Sequence, residues 1–388
     1  MIDFQFSDET KILVDAVERF VRNEVEPIER EIAEDGSLPM DRVRALKKKA
    51  QALGMFAMAM PTEVGGGGLS TVELCLVDEK IGRLTSALSR NIFGQVYPML
   101  LFCEGEQREK YLYPTVKGDL ICAMAITEPG AGSDAASIRT TATKDGDDYI
   151  LNGQKHFISD GDIADYTIVM ALTDAEKRAR GGISLFLVDK NTPGFRVARV
   201  QKMMGHNGYG HAELIFDNCR IPKTQILGDV GQGFKIIMKS VSRVRLANIG
   251  ARAIGMADRV LELASAYANE RKQFGKSIGE FQMIQQMIAD MATEVFATRM
   301  MVLNTAWEVD QGLDPREKIS MVKLYASEMI GRVADKGLQI FGGMGYTKGL
   351  PIERIYRDCR VMRIFDGTSE IHRSLIAQSV LKKAGSMR

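Results

Sequence analysis

DLICAMAITEPGAGSD, residues 119–134, marks the point at which the chain changes character. Upstream, apolar residues recur every three to four positions; here a run of small and apolar residues ends in a turn carrying Gly130 and Gly132. That pattern reads as a strand followed by a turn, not as a helix. The same grammar continues in DDYILNGQKHFIS, DYTIVMALT, ISLFLVD, FRVARVQ and AELIFDNCRIP, short apolar and β-branched runs separated by Gly, Asn, Asp or Pro. Such runs, evenly spaced over about 100 residues, predict a compact β-barrel or sandwich.

Helical spacing surrounds this segment on both sides. Ser7 is placed to cap a first helix, with Asp8 and Glu9 in its first turn and Ile12, Leu13, Val17, Phe20 and Val21 on one face. DRVRALKKKAQALG and TVELCLVDEKIGRLT predict two more helices, and the four glycines of PTEVGGGGLS between them read as a mobile connector, with a phosphate cradle as the alternative. After GDVGQGFK the helical pattern returns, in ANIGARAIGMADRVLELASAYANER and EFQMIQQMIADMATEVFATRMMVLNTAWEVD. The expectation is an α+β multidomain chain: an N-terminal helical domain over 1–120, a central β-barrel domain over 121–230 and a C-terminal helical bundle over 231–388.

Composition narrows the function classes. The 388 residues are 45% hydrophobic, enough for a large core, and 51 basic against 50 acidic side chains leave a net charge of +1. No global field favours nucleic acid or an anionic membrane, so an anionic ligand must be held locally. The five cysteines are scattered and form no C-x-x-C pair, which suggests neither a disulfide framework nor a metal site, and fits a reducing cytoplasm. MIDFQFSDETK has no signal-peptide character, and no stretch approaches the about 18 apolar residues of a membrane span. The four histidines lack metal spacing; none is assigned a catalytic role.

Four stretches could carry chemistry, and each has a plain structural reading beside the functional one. ITEPGAGSD, residues 126–134, could hold an anion or the polar edge of a ring on its backbone N–H groups and the hydroxyls of Thr127 and Ser133, or be an ordinary β-turn. It is no dinucleotide fingerprint, since the third glycine and the following helix are missing. In ERKQFGKSIGEFQMIQ, residues 270–285, Arg271 could fork onto a phosphate while Phe274 stacks on a base; the alternative is a solvated basic helix end. Gly342, Gly343 and Gly345 of QIFGGMGY could admit a flat ligand or form a helix C-cap. In RIFDGTSEI, residues 363–371, Asp366 follows an apolar pair and could be a carboxylate of raised pKa at a pocket edge, while Asp366 or Thr368 could equally cap the last helix. His372 reads as a surface helix residue, with tuning of Asp366 as the alternative.

Taken together and in this order, ITEPGAGSD, RKQFGK, QIFGGMGY and YRDCRVMRIFDGTSEIHR resemble the acyl-CoA dehydrogenase family of flavoproteins, from the first helix to about Leu381. The resemblance implies a helical domain, a β-barrel domain and a C-terminal four-helix domain in a homotetramer, with FAD between the last two. It implies that Ile126, Thr127, Gly132 and Ser133 line the flavin and its pyrophosphate, Ser133 also near the CoA chain. Phe157 and Ser159 match positions packing on the isoalloxazine, and Thr368 and Glu370 match further flavin contacts. Arg271, Gln273, Phe274, Gln339 and Gly343 match residues that reach a neighbouring subunit's flavin.

Asp366 aligns with the family's catalytic carboxylate, normally a Glu in an EGTS context, and Gly367 beside it with a substrate contact. By the family mechanism this carboxylate removes the α-proton of an acyl-CoA while a hydride leaves the β-carbon for the flavin. Aspartate is shorter by about 1.5 Å of reach, so the backbone or the substrate must sit differently, or the base lies elsewhere. SVSRVRLANIGARAIG offers no carboxylate in its place. The family's CoA-contacting arginine would fall at Leu246; Arg245, one position earlier, is carried over instead. Tyr97, Met99, Leu100, Leu101 and Phe102 could wall an acyl pocket or pack in the core, and their bulk suggests a short, branched or cyclic acyl group.

The resemblance thus implies an acyl-CoA dehydrogenase passing electrons to an electron-transferring flavoprotein. The same site could run in reverse as an enoyl-CoA reductase, or serve a non-redox acyl-CoA lyase or a non-catalytic acyl-CoA binder. Membrane and nucleic-acid partners are not expected.

Overall fold

The computed structural model describes residues 5–32, 37–94, 96–206, 208 and 210–386. The N-terminal part holds helices α1 (Asp8–Phe20), α2 (Met40–Ala52), α3 (Thr71–Ile81), α4 (Ser86–Phe93) and α5 (Tyr113–Lys117). Ser7 caps α1 as its sequence demands, accepting the Thr10 N–H at 3.1 Å, and the Thr10 hydroxyl donates to Glu73 at 2.9 Å. Glu73 closes a capping box with Ser70 at the start of α3, so the two helix beginnings are fastened to each other. The glycine run is no mobile connector. A Cβ on Gly66 would lie 2.2 Å from the Met60 carbonyl, and one on Gly67 would lie 2.9 Å from the Met58 backbone. Those glycines are there because two backbones touch.

Strands β1 (Cys122–Ala125), β2 (Thr141–Asp145), β3 (Asp148–Ser159), β4 (Tyr166–Leu172), β5 (Ile183–Asp189), β6 (Phe195–Val200), β7 (His211–Ile221) and β8 (Ile226–Leu227) form one sheet, ordered β6-β7-β3-β2-β4-β5-β8 with β1 parallel to β4. β2 meets β4 at a single pair, Thr141 and Leu172, where the sheet turns its corner. Ala123, Ala142, Leu151, Val169, Phe186 and Leu214, drawn from six strands, share one interior, so the sheet wraps around its own core as a barrel. The alternate residues of β4 and β5, Ile168, Met170, Leu185 and Leu187, pack outward against Tyr97, Leu100, Tyr111 and Ile236. β4 is therefore buried on both faces, and the barrel is seated on helices of both neighbouring segments.

The C-terminal part is built on four long helical runs among the described residues. α6 (Gly233–Val244) continues through a π-helical turn, Arg245–Ala251, into α7 (Arg252–Glu270); α8 (Gln282–Asp310), α9 (Arg316–Phe341) and α11 (Ser369–Ser386) complete them, with the short α10 (Pro351–Cys359) before the last. Val260, Val302, Met329 and Ile330 anchor the core shared by α7, α8 and α9, and α3 crosses α7 so closely that a Cβ on Gly255 would fall 1.9 Å from the Glu79 carbonyl. Among the described residues no helix is long and apolar enough to cross a membrane.

Candidate active site at the Asp366 turn

Between α10 and α11 the chain reverses on two successive left-handed residues, Asp366 at φ +54° and Gly367 at φ +94°. Asp is one of the few side chains that enters this region readily, whereas a Cβ at 367 would also meet His372 Nε2 at 2.8 Å. Thr368 supplies the helix cap, its hydroxyl accepting the Ile371 N–H at 3.3 Å. The cap and the candidate base are thus different residues.

Three side chains from three helical elements hold the carbonyls of this turn. Arg245 Nε, in the π-helical turn, donates to the Asp366 carbonyl at 3.1 Å, and His372 Nε2, in α11, lies 3.3 Å from the same oxygen. Lys323 Nζ, in α9, donates to the Gly367 carbonyl. His372 is not a surface residue: it is 0% exposed, and because a carbonyl can only accept, its proton sits on Nε2. Burial pushes the His372 imidazole down to about 4, so it acts as a neutral donor. Burial likewise pulls Lys323 down to about 8, against the opposing pull of the Asp366 carboxylate. Asp366 itself is raised above the usual carboxylate range by burial, while Arg245 and Lys323 work in the other direction. The result is a carboxylate made more basic by its surroundings and kept ionisable by two cations.

A second group of residues gathers where β1 runs into the ITEPGAGSD turn. Lys155, fully buried in β3, donates to the Ile126 carbonyl at 2.9 Å and to Glu128 at 2.8 Å, and Glu128 in turn accepts the Arg139 and Thr140 N–H groups. His156 N–H reaches the Thr127 carbonyl at 2.8 Å. Ile126 and Thr127 are thereby tied to the Lys155–His156 step of β3, next to Phe157, on a ledge that runs on to Ser159 at the strand's end. Phe157 takes φ +58° and leaves its ring 48% exposed. Gly130 and Gly132 have nothing within 4 Å of where a side chain would start, and Ser133 is exposed. From Ser159 a line of rings leads toward the turn. Ser159 Oγ lies 3.4 Å from His211 Nδ1, the His211 and His206 rings are 6.2 Å apart, and His206 is 6.2 Å from Phe365, next to Asp366. Burial drives His206 down to about 3 and lowers His211, so both are neutral; Arg90 and Asp160 form a partly buried ion pair alongside.

Most of the chain matches known sequence families. The model of the acyl-CoA dehydrogenase N-terminal domain matches residues 7–119, that of the middle domain 123–219 and that of the C-terminal domain 231–381. The chain belongs to the acyl-CoA dehydrogenase family. An acryloyl-CoA reductase (NADH) of Anaerotignum propionicum is 39% identical, the match covering 98% of this chain and 97% of that protein. An acyl-CoA dehydrogenase of Bacillus subtilis is also 39% identical, with 94% and 96% covered. The solved FAD complex of PigA superposes with a TM-score of 0.91 at 31% identity, covering 98% of this chain and 99% of the other.

The family is one of flavoproteins, and the ledge suits a flavin: three hydroxyls (Thr127, Ser133, Ser159), an exposed aromatic face and glycines with open space above them. The remaining expected flavin residues lie elsewhere on this chain. Arg271 begins a two-stranded hairpin in which Lys272–Gln273 pairs with Lys276–Ser277, and Phe274 at its tip takes φ +54° with 94% of its surface exposed. A stacked Tyr267–Phe341 pair, 4.3 Å between centroids, sets that hairpin near Gln339 and the turn at Gly342 and Gly343, both glycines open above. Glu370 is exposed in the first turn of α11.

Two readings that carried alternatives are located by the fold. Tyr97, Met99 and Leu100 are buried in the core shared with the barrel, and only Leu101 and Phe102 are exposed, so the first three pack and do not wall a pocket. Arg245, not Leu246, faces the turn, because the π-helical turn redirects the helix face and sends Leu246 fully into the core. Lys323 and the Lys155–Glu128 pair were not anticipated. Lys323 carried a signal: in SMVKLY it stands on the face of Ile319, Val322, Ala326 and Ile330, where a lysine interrupts a buried stripe.

Proposed function

We propose that this chain is an FAD-dependent oxidoreductase that converts an acyl-CoA thioester to its 2,3-enoyl-CoA, with a carboxyl oxygen of Asp366 taking the α-proton. The observation that carries this reading is the Asp366 turn: a carboxylate raised by burial, on a left-handed backbone whose carbonyls are held by three side chains. The reversed turn supports a different approach of the shorter side chain, which the loss of one methylene relative to Glu requires. Ile126, Thr127, Gly132, Ser133, Phe157, Ser159, Thr368 and Glu370 would hold FAD within the subunit. Arg271, Gln273, Phe274, Gln339 and Gly343 would reach the flavin of a neighbour in a homotetramer, which accounts for their exposure here. Bound FAD supplies the hydride chemistry at the β-carbon. Arg245, Gly367 and Ser133 would meet the substrate.

An electron-transferring flavoprotein is the electron partner we assign, on the family resemblance, and the cytoplasm the compartment, in keeping with five free, buried cysteines. For the acyl group we hold to a short, branched or cyclic one, supported by the similarity to an acryloyl-CoA reductase. That same similarity favours a second reading, in which Asp366 returns a proton to the α-carbon as an enoyl-CoA is reduced. Anaerobic mixing separates the two. The oxidised protein is exposed to straight, branched and cyclic acyl-CoAs, and the chemically reduced protein to the matching enoyl-CoAs, while flavin absorbance is followed. Faster bleaching than recovery supports dehydrogenation, and the opposite order supports reduction. An inert flavin in both experiments contradicts both readings, and palmitoyl-CoA outpacing the short and cyclic thioesters contradicts the substrate class.

A further inference from the structure

Lys323 is the one lysine brought to the Asp366 turn among the described contacts, and nothing in the proposed reaction uses it. It lies 43 residues upstream in α9, fully enclosed, with its ammonium against the Gly367 carbonyl and its charge felt by the Asp366 carboxylate. A fully buried lysine is costly to keep charged, so its retention asks for a task. Peptide planarity indicates one. In a trans peptide the C=O and N–H point opposite ways, so fixing the Gly367 carbonyl on Lys323 aims the Thr368 N–H away from α9. Fixing the Asp366 carbonyl on Arg245 and His372 aims the Gly367 N–H in the same manner. The clamp therefore sets the direction of the turn's free donors as well as the field at the carboxylate.

We infer that Lys323 is a positioning residue for the base, holding the Asp366–Gly367 turn through the Gly367 carbonyl and bringing its ammonium to that turn. The charged and titratable groups around it are Asp366 in the turn, Arg245 in the π-helical turn, Glu370 and His372 in α11 and Glu328 on its own helix. His372 is neutral, so Lys323 and Arg245 are the two cations acting on Asp366. Removing one of them raises the carboxyl pKa, because an adjacent cation holds an Asp down by about one unit or more.

This inference rests on Asp366 being the base, and the test keeps the two claims apart. The rate of α-proton exchange from a saturated acyl-CoA into solvent is measured against pH for the holoenzyme and for Lys323→Met, Lys323→Gln and Lys323→Arg, with Asp366→Asn beside them. The expected result is an acid limb displaced upward by about one pH unit in the Met and Gln variants, about a tenfold slower exchange below the limb. Lys323→Arg, which keeps the charge, leaves the limb in place. Gln keeps a donor for the Gly367 carbonyl, so it carries the test if the Met variant does not fold. A limb that stays put in every flavin-loaded, charge-free variant overturns the inference and leaves the base assignment standing. Exchange that survives Asp366→Asn overturns the base assignment itself.

Discussion

The Asp366 turn and the Arg271–Gly275 hairpin both place a non-glycine residue in the left-handed region, Asp366 at +54° and Phe274 at +54°, yet they are held in opposite ways. Every carbonyl of the first that carries strain is answered by a side chain of the same subunit, Arg245, Lys323 or His372. The second projects Phe274 with 94% of its surface exposed, its ring edge-on to Phe281 at 6.1 Å between centroids. A conformation that costs about 1–3 kcal/mol persists where the surroundings over-determine it. At Asp366 those surroundings are side chains of three helical elements; at Phe274 they are only the paired Gln273 and Lys276 of its own hairpin, whose two-residue turn takes positive φ at both Phe274 and Gly275, and it is the exposed ring that prompts the proposal of a neighbour's cofactor there.

The contrast can be broken by substitutions on each side. The largest cost is expected at the internally held ledge: Lys155→Met leaves the Glu128 carboxylate buried without its cation and should destabilise the protein by about 3–5 kcal/mol in urea unfolding. A cost below about 1 kcal/mol would mean that the pair does not hold the 126–134 turn. Gly367→Ala places a methyl group 2.8 Å from His372 Nε2 on a backbone at φ +94°, and should cost about 1–3 kcal/mol with about a 100-fold fall in turnover. Wild-type turnover in that variant would show that the turn need not hold its shape. On the outward side, Arg271→Ala and Phe274→Ala should leave apoprotein unfolding within about 0.5 kcal/mol of wild type. They should instead weaken FAD retention by about tenfold, as the loss of one charge-assisted or stacking contact would, read from flavin release on dilution. A large loss of apoprotein stability would place these residues with the internal group.

How far the sequence reaches follows the same division. Helix, strand and helix could be read from apolar periodicity, and Ser7 and Thr368 from local capping chemistry, because each depends on residues a few positions apart. Asp366 could be picked out because it stands in a short polar break after Ile364 and Phe365. His372 could not be placed inside, since whether a helical histidine faces water or a turn six residues back depends on how α11 packs. Lys323 and Lys155 act across 44 and 27 residues of chain, and no local pattern encodes such partners. The glycine run failed for the same reason: its close contacts are with Met58 and Met60, and only the folded turn brings those backbones within reach.

The central claim is that the chemistry turns on the carboxylate of Asp366, and its most direct test is an anaerobic titration of Asp366→Asn beside the wild type, at equal flavin content, with acyl-CoA thioesters. The shape of the turn is kept, since Asn tolerates the left-handed region as Asp does. The account predicts flavin bleaching by at least one thioester in the wild type and a rate lower by about 100-fold to 10,000-fold in the variant, the range of a lost general base. Bleaching at an undiminished rate in Asp366→Asn would contradict it and move the base to another group.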